Sequence, residues 1–565
     1  MAPTPPQIVP RCPFWEKAAV FAVMLLVSVA ATWPLAAGLD TYLNDWGDPL
    51  LNAWILWWDT HALVTPGLSL FNAPIFHPEP LTLAYSEHMI VNAIMAWPVF
   101  WLGYNALVAH NVLFLLTFAL SGLGGYLLGH QLTGRRAAAW LVGLGFAFSA
   151  FRFGHLGHLQ ILSCQFMPFV LLYLHRWQQA PRWGWALGFG FFWLLQILSC
   201  GYHALFISLA VGLFLLYYGL PGRWWRQKTR LWQLTAVCLG ISLLVAPFFY
   251  PYLQVKRQQG FVRKAQEVEL YSARPRNYLA APPASRLLGR LTAPLRSPEG
   301  QLYLGATLSV LVLLGLLVPR RRRGRDEKGP GWSRQDQFFY LLLALVAFWA
   351  SLGPRYGLYE WLYKLVPGFD ALRVPARLAV LVSLSWAVLA GFGAARLQTL
   401  LPARRWLAPL MVLVLGGMVL AEVWCAPYHW NSITPRVPAV YRWLAAQPGP
   451  VVVMELPTLG YKNDFSRDAR YLYWSTFHGQ TLVNGYSGFF SSQYKELARL
   501  APRLPDPAVL KLLRRRGTQY VILHLKEYPG ARANELLERF RQSPELKPVF
   551  HDRWDWVFRL RPERD

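Results

Sequence analysis

A series of long apolar segments is the feature that most constrains the fold of this 565-residue chain. A helix needs roughly 17–25 apolar residues to cross about 30 Å of hydrocarbon, and segments of that length recur before the C-terminal quarter. Hydrophobic residues make up 55% of the chain and charged residues only 15%, which excludes an ordinary soluble multidomain protein. We therefore predict a polytopic α-helical membrane protein with about eleven spans, near residues 18–38, 108–130, 137–153, 160–176, 184–200, 203–219, 231–250, 302–318, 337–353, 376–397 and 406–425.

The basic residues predict how the chain is oriented in the membrane. The formal net charge is +26, but Lys and Arg cluster in short loops between apolar segments, which argues against a nucleic-acid partner. The loop from Leu39 to Leu107 has no Lys or Arg and several acidic residues, so we predict that it faces outside. With the N-terminus inside, the inner loops hold Arg135, Arg136, Arg176, Arg182, Arg223, Arg226, Lys228, Arg230, the run Arg320 to Arg323, Arg325, Arg404 and Arg405.

One further apolar segment, Met89–Tyr104, is predicted to lie along the membrane surface rather than to cross it. If it crossed, the basic loop near residue 135 would face outside and the charge pattern downstream would be inverted. Its residues Trp97, Trp101 and Tyr104 suit the headgroup region. We therefore assign it to the first outer loop as an interfacial helix.

The composition changes after the last predicted span. Short apolar segments at Val451–Leu456, Tyr520–Leu525 and Trp554–Leu560 predict strands, and Ala439–Ala446 and Asn534–Gln542 predict helices. We therefore predict two domains. Residues 1–426 form a transmembrane domain with outer loops at 39–107 and 252–301, and residues 427–565 form an α/β domain outside the cytoplasm.

The first outer loop holds the two residues that we predict to be catalytic, Asp45 and Asp48. Pro49 suits the first turn of a helix and Asp48 its N-cap. At about 100° per residue, Asp48, Asn52 and Asp59 fall on one side, which predicts an amphipathic helix at the membrane surface. A carboxylate beside low-dielectric lipid can have a raised pKa and serve as a general base. The alternative is that Asp48 only caps the helix and Asp45 is only solvated.

A second group of polar residues is gathered at the same predicted outer face. Histidine and carboxylate side chains can hold a divalent metal ion, the one cofactor that these residues suggest. The alternative is that the histidines bond to carbonyl groups and lipid headgroups, because no tight ligand spacing is present. The candidate metal ligands are Glu87, His88, His155, His158 and His203.

The second outer loop, residues 252–301, is rich in Lys and Arg, unlike the first. Arginine forks match phosphate oxygens and stabilise a phosphate leaving group. The alternative ligand is the anionic headgroup of a membrane lipid. The candidate substrate-binding residues are Arg263, Lys264 and Arg274 in this loop, Arg373 and Arg377 at the outer end of a span, and Arg152 beside the histidines.

Together these features resemble the GT-C superfamily of membrane glycosyltransferases, which use polyprenyl-phosphate-linked sugars. The likeness covers nearly the whole membrane portion and is carried by Asp45 and Asp48, by the interfacial helices, and by the stretch Tyr85-Ser86-Glu87-His88. The segment from Val366 to Arg377 is similar to one in uncharacterised bacterial members.

The resemblance implies inverting transfer of a sugar from polyprenyl phosphate to a glycan, lipid or protein acceptor. It also implies a location in the bacterial inner membrane, with the active site outside the cytoplasm and a role in the cell envelope. A lipid or polysaccharide transporter is the rival class, but it would place ionisable residues deep within the spans. A non-catalytic membrane assembly protein is the third alternative, because fold likeness alone does not establish activity.

Overall fold

The computed structural model describes residues 12–260, 263–318, 333–402, 404–460, 464 and 466–562. The predicted inner-loop residues Arg320 to Arg323 and Arg325 lie outside these ranges. The chain forms two compact units, each built from segments distant in sequence. The helical unit comprises Met1–Ala37, Leu113–Phe248 and Phe261–Tyr428, and the mixed unit comprises Gly38–Val112, Phe249–Gly260 and His429–Asp565.

Helices dominate the helical unit and frame the sheet of the mixed unit. In chain order they are α1 (Phe14–Ala31), α2 (Asp48–Val64), α3 (Ile90–Trp101), α4 (Ala106–Thr133), α5 (Arg136–Ala147), α6 (Ala150–Phe153), α7 (Leu159–Leu162), α8 (Met167–Gln179), α9 (Trp183–Ile197), α10 (Gly201–Gly222), α11 (Lys228–Gln259), α12 (Ala265–Leu270), α13 (Ala306–Leu317), α14 (Arg334–Ser351), α15 (Leu358–Leu365), α16 (Ala379–Leu400), α17 (Leu407–Val423), α18 (Ala439–Ala445), α19 (Arg467–His478), α20 (Ser492–Leu500), α21 (Pro507–Arg515) and α22 (Gly530–Gln542).

Every predicted span overlaps a helix, but the predicted number of spans is not confirmed. Within the described ranges, five helices are long and apolar enough to cross a membrane: Phe14–Ala31, Ala106–Thr133, Gly201–Gly222, Lys228–Gln259 and Pro375–Leu400. Two predicted spans are broken, because residues 137–153 divide into α5 and α6 and residues 160–176 into α7 and α8. At the second break, Pro168 occupies the first turn of α8. Proline has no backbone N–H to donate, which is tolerated in the first turn of a helix but not in its interior, so the helix begins here.

Helix α16 forms the centre of the helical unit, packed against α5, α13 and α14 and buried along nearly its whole length. The approach of α13 is close enough to require glycine at position 393. A Cβ atom on Gly393 would lie 1.8 Å from the carbonyl oxygen of Leu311. Small residues of this kind allow apolar helices to pack backbone to backbone.

A five-stranded sheet organises the C-terminal part of the mixed unit. In chain order the strands of this unit are β1 (Tyr42–Leu43), β2 (Asn431–Ser432), β3 (Val452–Leu456), β4 (Thr481–Leu482), β5 (Tyr520–His524), β6 (Leu546–His551) and β7 (Asp555–Leu560). The strand order of the sheet is β4-β3-β5-β7-β6, with β3 parallel to β4 and β5, and with β7 antiparallel to β5 and β6. A separate two-stranded ladder pairs β1 with β2. The three predicted strands are present as β3, β5 and β7.

The two faces of this sheet differ in chemistry. One face presents Met454, Leu523 and Phe558 to an apolar core shared with α20, α21 and α22. The opposite face presents Glu455 and His524 to α18 and α19. Successive side chains of a strand point to opposite faces of the sheet. Neighbouring residues of β3 and β5 therefore pack against the helices on opposite sides.

The predicted first outer loop is part of the mixed unit. Its helix α2 packs against α3 and α19, and Trp54 Nε1 donates a hydrogen bond of 3.1 Å to Ser475 Oγ. The polar side of α2 differs from the predicted surface arrangement, because Asn52 and Asp59 are buried. Asp59 Oδ2 accepts a hydrogen bond of 2.9 Å from the backbone N–H of Met89, which supplies a partner that water would otherwise provide.

Candidate active site

The segment that carries Asp45 and Asp48 is fixed in place by backbone and side-chain hydrogen bonds within the mixed unit. Strand β1 precedes it, and Asn431 Nδ2 donates to the carbonyl oxygen of Asn44 at 2.7 Å. Asn111 Nδ2 donates to the carbonyl oxygen of Tyr42 at 2.8 Å. Asp45 therefore lies on a short, well-anchored loop, and Asp48 follows at the start of α2.

Asp48 does not cap helix α2 as predicted. Gly47 takes the N-cap position, where its carbonyl oxygen accepts from Leu50 and Leu51, and Asp48 is the first helical residue. The hydroxyl of Tyr486 instead donates to Asp48 Oδ1 at 3.1 Å. The Tyr486 hydroxyl also explains the glycine, because a Cβ atom on Gly47 would lie 2.8 Å from that oxygen.

Asp45 has the electrostatic environment of a general base. Its Oδ1 accepts a hydrogen bond of 2.8 Å from the backbone N–H of Gly47, and the side chain is half-buried. Burial raises the pKa of Asp45 to about 6, and the carboxylate of Asp48 adds to the rise against the opposing backbone hydrogen bonds. A base with a pKa near the working pH combines a high ionised fraction with useful proton affinity.

Two residues of the C-terminal segment contact residues 45–48 of the first loop and were not predicted. Tyr486 is one, and Arg470 of α19 is the other, with its guanidinium carbon 5.8 Å from the centre of the Trp46 ring. Both are more than 400 residues from Trp46 and Asp48 in sequence, so no local pattern could have indicated them. Trp46 lies between the two aspartates in sequence, and the sequence analysis assigned it no role.

In the helical unit, Glu299 joins two of the predicted site residues. Its carboxylate accepts from His155 Nε2 at 2.7 Å and from Arg377 Nη2 at 2.7 Å. Burial alone would raise the pKa of Glu299, but Arg377 and His155 outweigh it and hold that pKa well below its usual range. Glu299 has a φ of 59°, an uncommon conformation outside glycine, and these ion pairs hold it there.

Arg263 and Arg373 lie in a second cluster of the helical unit. Both approach Glu267 Oε1, at 3.6 and 3.7 Å respectively. The backbone N–H of Arg373 donates to the hydroxyl of Tyr202 at 3.1 Å, and the Tyr202 ring lies 4.9 Å from the guanidinium carbon of Arg377. Two guanidinium groups thus approach the same carboxylate, and arginines grouped in this way match the oxygens of a phosphate.

The other predicted phosphate-binding residues occupy different surroundings. Lys264 and Arg274 are exposed, and the Arg274 backbone N–H bonds to Asn277. Arg152 is fully buried, and its guanidinium donates to Thr117 Oγ1 at 3.0 Å and to the carbonyl oxygen of Leu162 at 2.9 Å. Arg152 therefore holds helices together, and its packing gives no support to a substrate contact.

The predicted metal ligands do not form a metal site. His155 uses both ring nitrogens, on Glu299 and on the carbonyl oxygen of Phe151, and His203 Nδ1 lies 3.3 Å from the carbonyl oxygen of Ser163. Burial lowers the pKa of His88 to about 4. Across the part of the chain that the structure describes, no group of three His, Cys, Asp or Glu side chains is arranged to hold a metal ion. The donors, including Glu87 and His158, therefore do not fit this role.

Comparison with known proteins gives the fold. No family model and no curated protein matches the chain. The solved structure of arabinofuranosyltransferase AftD from Mycobacteria is similar over 99% of this chain and 41% of AftD, with a TM-score of 0.61 and 16% identity. Two structures of an AftD mutant match over 98% of this chain and 42% of theirs, with TM-scores of 0.61 and 0.55 at 15% and 13% identity. The chain thus spans less than half the length of these relatives, and it has the GT-C fold that the sequence resemblance implied.

Proposed function

We propose that this chain is a membrane glycosyltransferase that moves a sugar from a polyprenyl-phosphate donor to an acceptor outside the cytoplasm. The observation that carries the proposal is the half-buried Asp45, whose pKa is raised to about 6, on an anchored first loop of a GT-C fold. AftD is an arabinofuranosyltransferase by name, and its likeness to this chain supports glycosyl transfer in general. The test is the rate of sugar transfer after replacement of Asp45 by Asn.

The reaction is a single displacement with inversion. Asp45 takes the proton of an acceptor hydroxyl as that oxygen attacks the anomeric carbon. The bond between the anomeric carbon and the phosphate oxygen breaks, and polyprenyl phosphate leaves with the electron pair. The carboxylate of Asp48, which accepts a hydrogen bond from the hydroxyl of Tyr486, raises the pKa of Asp45 and so increases the basicity of Asp45.

Arg263 and Arg373 are the proposed phosphate ligands. Their side chains are 16% and 35% exposed and share Glu267 at distances too long for strong hydrogen bonds, so they can exchange that partner for a phosphate. Arg377 is 5% exposed and bonded to Glu299 through two nitrogens, and it therefore supports the cluster. Mass spectrometry of lipid-linked sugars and surface glycans in a deletion strain would identify the sugar and the acceptor.

Replacing Arg263 with Ala should raise the KM for the lipid-phosphate sugar about tenfold or more, with a smaller effect on kcat, because a charge-assisted contact to phosphate is lost. The measurement is initial-rate kinetics with purified donor in detergent. Arg276→Ala is the matched control, since Arg276 is an exposed arginine of the same loop. An unchanged KM in the Arg263 variant would remove that residue from the donor site.

The orientation is tested by reporter fusions. A reporter fused after Arg325 should be cytoplasmic, and one fused after Asp565 should be external, because the loop charges set the orientation of the spans. The measurement pairs alkaline phosphatase, active only outside, with green fluorescent protein, fluorescent only inside. A cytoplasmic C-terminus would place Asp45 on the wrong side for an extracytoplasmic acceptor.

A further inference from the structure

We infer that a groove between α2, α3 and α19 binds one acyl chain of a membrane glycerophospholipid. The groove has a volume of about 460 Å³, and all of its lining residues belong to the mixed unit. This volume is typical of small-molecule sites, which hold about 300–1,000 Å³. The inference is independent of the proposed function, because no step of sugar transfer uses these residues.

The walls of the groove are largely aromatic. Helix α2 contributes Trp57 and His61, whose rings stack with their centres 5.5 Å apart. Helix α19 contributes Phe477 in its last turn, and α3 contributes Trp97 and Phe100. Trp57 and Phe477 are more than 400 residues apart in sequence, so a ligand in the groove contacts both the first loop and the C-terminal segment.

The polar side chains of the groove already have hydrogen-bond partners within the protein. Thr60 Oγ1 donates to a backbone carbonyl of α3 at 3.3 Å, and Thr476 Oγ1 donates to one of α19 at 2.8 Å. Asn105 Oδ1 accepts from two backbone N–H groups of the first turn of α4, at 3.1 and 3.0 Å. A sugar would lose hydrogen bonds to water here with few replacements, whereas a hydrocarbon chain has none to lose.

The groove also has no counter-ion for a charged ligand, since none of the described residues that line it is Asp, Glu, Lys or Arg. Asp59 is bonded to the backbone N–H of Met89 before α3, and Asp40 acts on an α19 residue outside the lining. Arg470 lies about two turns before the last turn of α19, and α11, which carries Lys256, contacts the segment just before α3. A chain whose anionic group is attached directly to it, such as polyprenyl phosphate, is therefore disfavoured.

The rim of the groove suits the ester groups of a glycerophospholipid. Trp97, Trp101 and Tyr104 line the groove and are 51%, 81% and 57% exposed. An indole ring offers an N–H donor and no acceptor, and the carbonyl oxygens of an ester only accept. In a glycerophospholipid these carbonyls separate the acyl chains from the phosphate. Trp and Tyr are also the residues that favour this boundary between hydrocarbon and headgroups.

The position of the groove makes membrane lipid the available ligand. Ala106 lines the groove and is the first residue of α4, which is long and apolar enough to cross a membrane. The end of a spanning helix lies near the membrane surface, where the acyl chains begin. The exposed side chains of Ile94 and Leu102 extend the apolar surface of α3 beyond the groove. A lipid beside α3 can therefore place one chain in the groove.

The test is photolabelling of the full-length protein in phosphatidylcholine vesicles that contain a trace of phosphatidylcholine with a diazirine in one acyl chain. After trypsin, the peptide from Tyr471 to Lys495 should be labelled, and fragmentation should locate the label at Thr476 or Phe477. This peptide lies outside every predicted span, so ordinary contact of spans with lipid does not label it.

Replacing Val64 with Trp should lower this labelling about tenfold or more, because the larger side chain fills the groove that Val64 lines. Val64 is exposed, so the variant should fold. Val310→Trp is the matched control, since Val310 is an exposed valine of the apolar helix α13, and its labelling should equal that of the wild type.

Three results would overturn the inference. The first is an unlabelled Tyr471–Lys495 peptide in a protein whose spans are labelled. The second is equal labelling of that peptide in the Val64→Trp variant and the wild type. The third is stronger labelling of the peptide by a diazirine polyprenyl phosphate at the same concentration, which would assign the groove to the donor. Labelling is measured without turnover, so its outcome is separate from that of the proposed function.

Discussion

Replacing Asp45 with Asn should lower the rate of sugar transfer about a hundred- to ten-thousand-fold, the usual effect of losing a general base. The variant should still fold and bind donor, because Asn retains the oxygen that accepts from the Gly47 backbone N–H. The measurement is product formed per folded protein. Asp40→Asn is the matched control, since Asp40 lies in the same loop and bonds to Thr41. If the Asn variants of Asp45 and Asp48 both retain full activity, neither aspartate is the base.

The pH profile separates the roles of the two aspartates. For the wild type, kcat/KM should rise with pH through about 6, where Asp45 ionises. The carboxylate of Asp48 contributes to that raised pKa, so Asp48→Asn should move the acidic limb to lower pH while activity persists. Loss of activity at all pH values in the Asp48 variant alone would make Asp48 the base.

The ionisation of Asp45 that should raise activity should also lower the stability of the folded protein. The pKa of Asp45 is raised from an ordinary value of 3.8, so the folded state binds more protons than the unfolded state between pH 3.8 and about 6. Stability therefore falls as pH rises through that window, and ionised Asp45 destabilises the fold above it. Asp45→Asn removes this cost, so its melting temperature at pH 7.5 should equal or exceed that of the wild type.

Replacing His524 with Leu should destabilise the mixed unit by about 3–5 kcal/mol, because it leaves two carboxylates without their shared partner in a buried site. His524 lies between Glu455 and Asp555, at 2.9 and 2.8 Å. The measurement is thermal or denaturant unfolding of the purified protein, followed by the fluorescence of its tryptophans. His551→Leu is the matched control, since His551 is an exposed histidine of the same sheet.

The pH dependence of stability identifies the charged state of His524. Burial would lower its pKa, but hydrogen bonds and charge from Asp555 and Glu455 raise the pKa to about 10. Because the folded pKa exceeds the unfolded value of 6.5, this stabilisation is fully present below pH 6.5 and is lost as pH rises through about 10. The wild type should lose thermal stability over that window, and a profile equally steep in the Leu variant would contradict the assignment.

The sequence was most informative where one segment determines its own structure. Apolar length predicted the helices, and the buried apolar segments of β3, β5 and β7 predicted strands. Strand β6 was missed because Lys547 and Pro548 interrupt its apolar pattern. Helix α19 was missed because polar residues interrupt the apolar pattern of the face that contacts α2 and Tyr441.

The site was only partly predictable, for reasons of distance and charge. Asp45 and Asp48 stand three residues apart, so their pairing could be foreseen, whereas Tyr486 reaches Asp48 from 438 residues away. The basic loop was recognised, but Glu267 and Glu299 were overlooked, although an acidic residue in such a basic loop is itself a signal. Those carboxylates approach Arg263, Arg373 and Arg377.

The small ladder between β1 and β2 has a consequence for the order in which the protein matures. Asn431 bonds to Asn44 across 387 residues. The loop that carries Asp45 is therefore synthesised long before the Asn431 side chain that anchors it. At synthesis rates of about 5–20 residues per second, that interval is roughly 20–80 s. Throughout this time the first loop lacks Tyr486 and Arg470 as well. A chain that has not yet been synthesised as far as Asn431 therefore cannot form the ladder that anchors this loop.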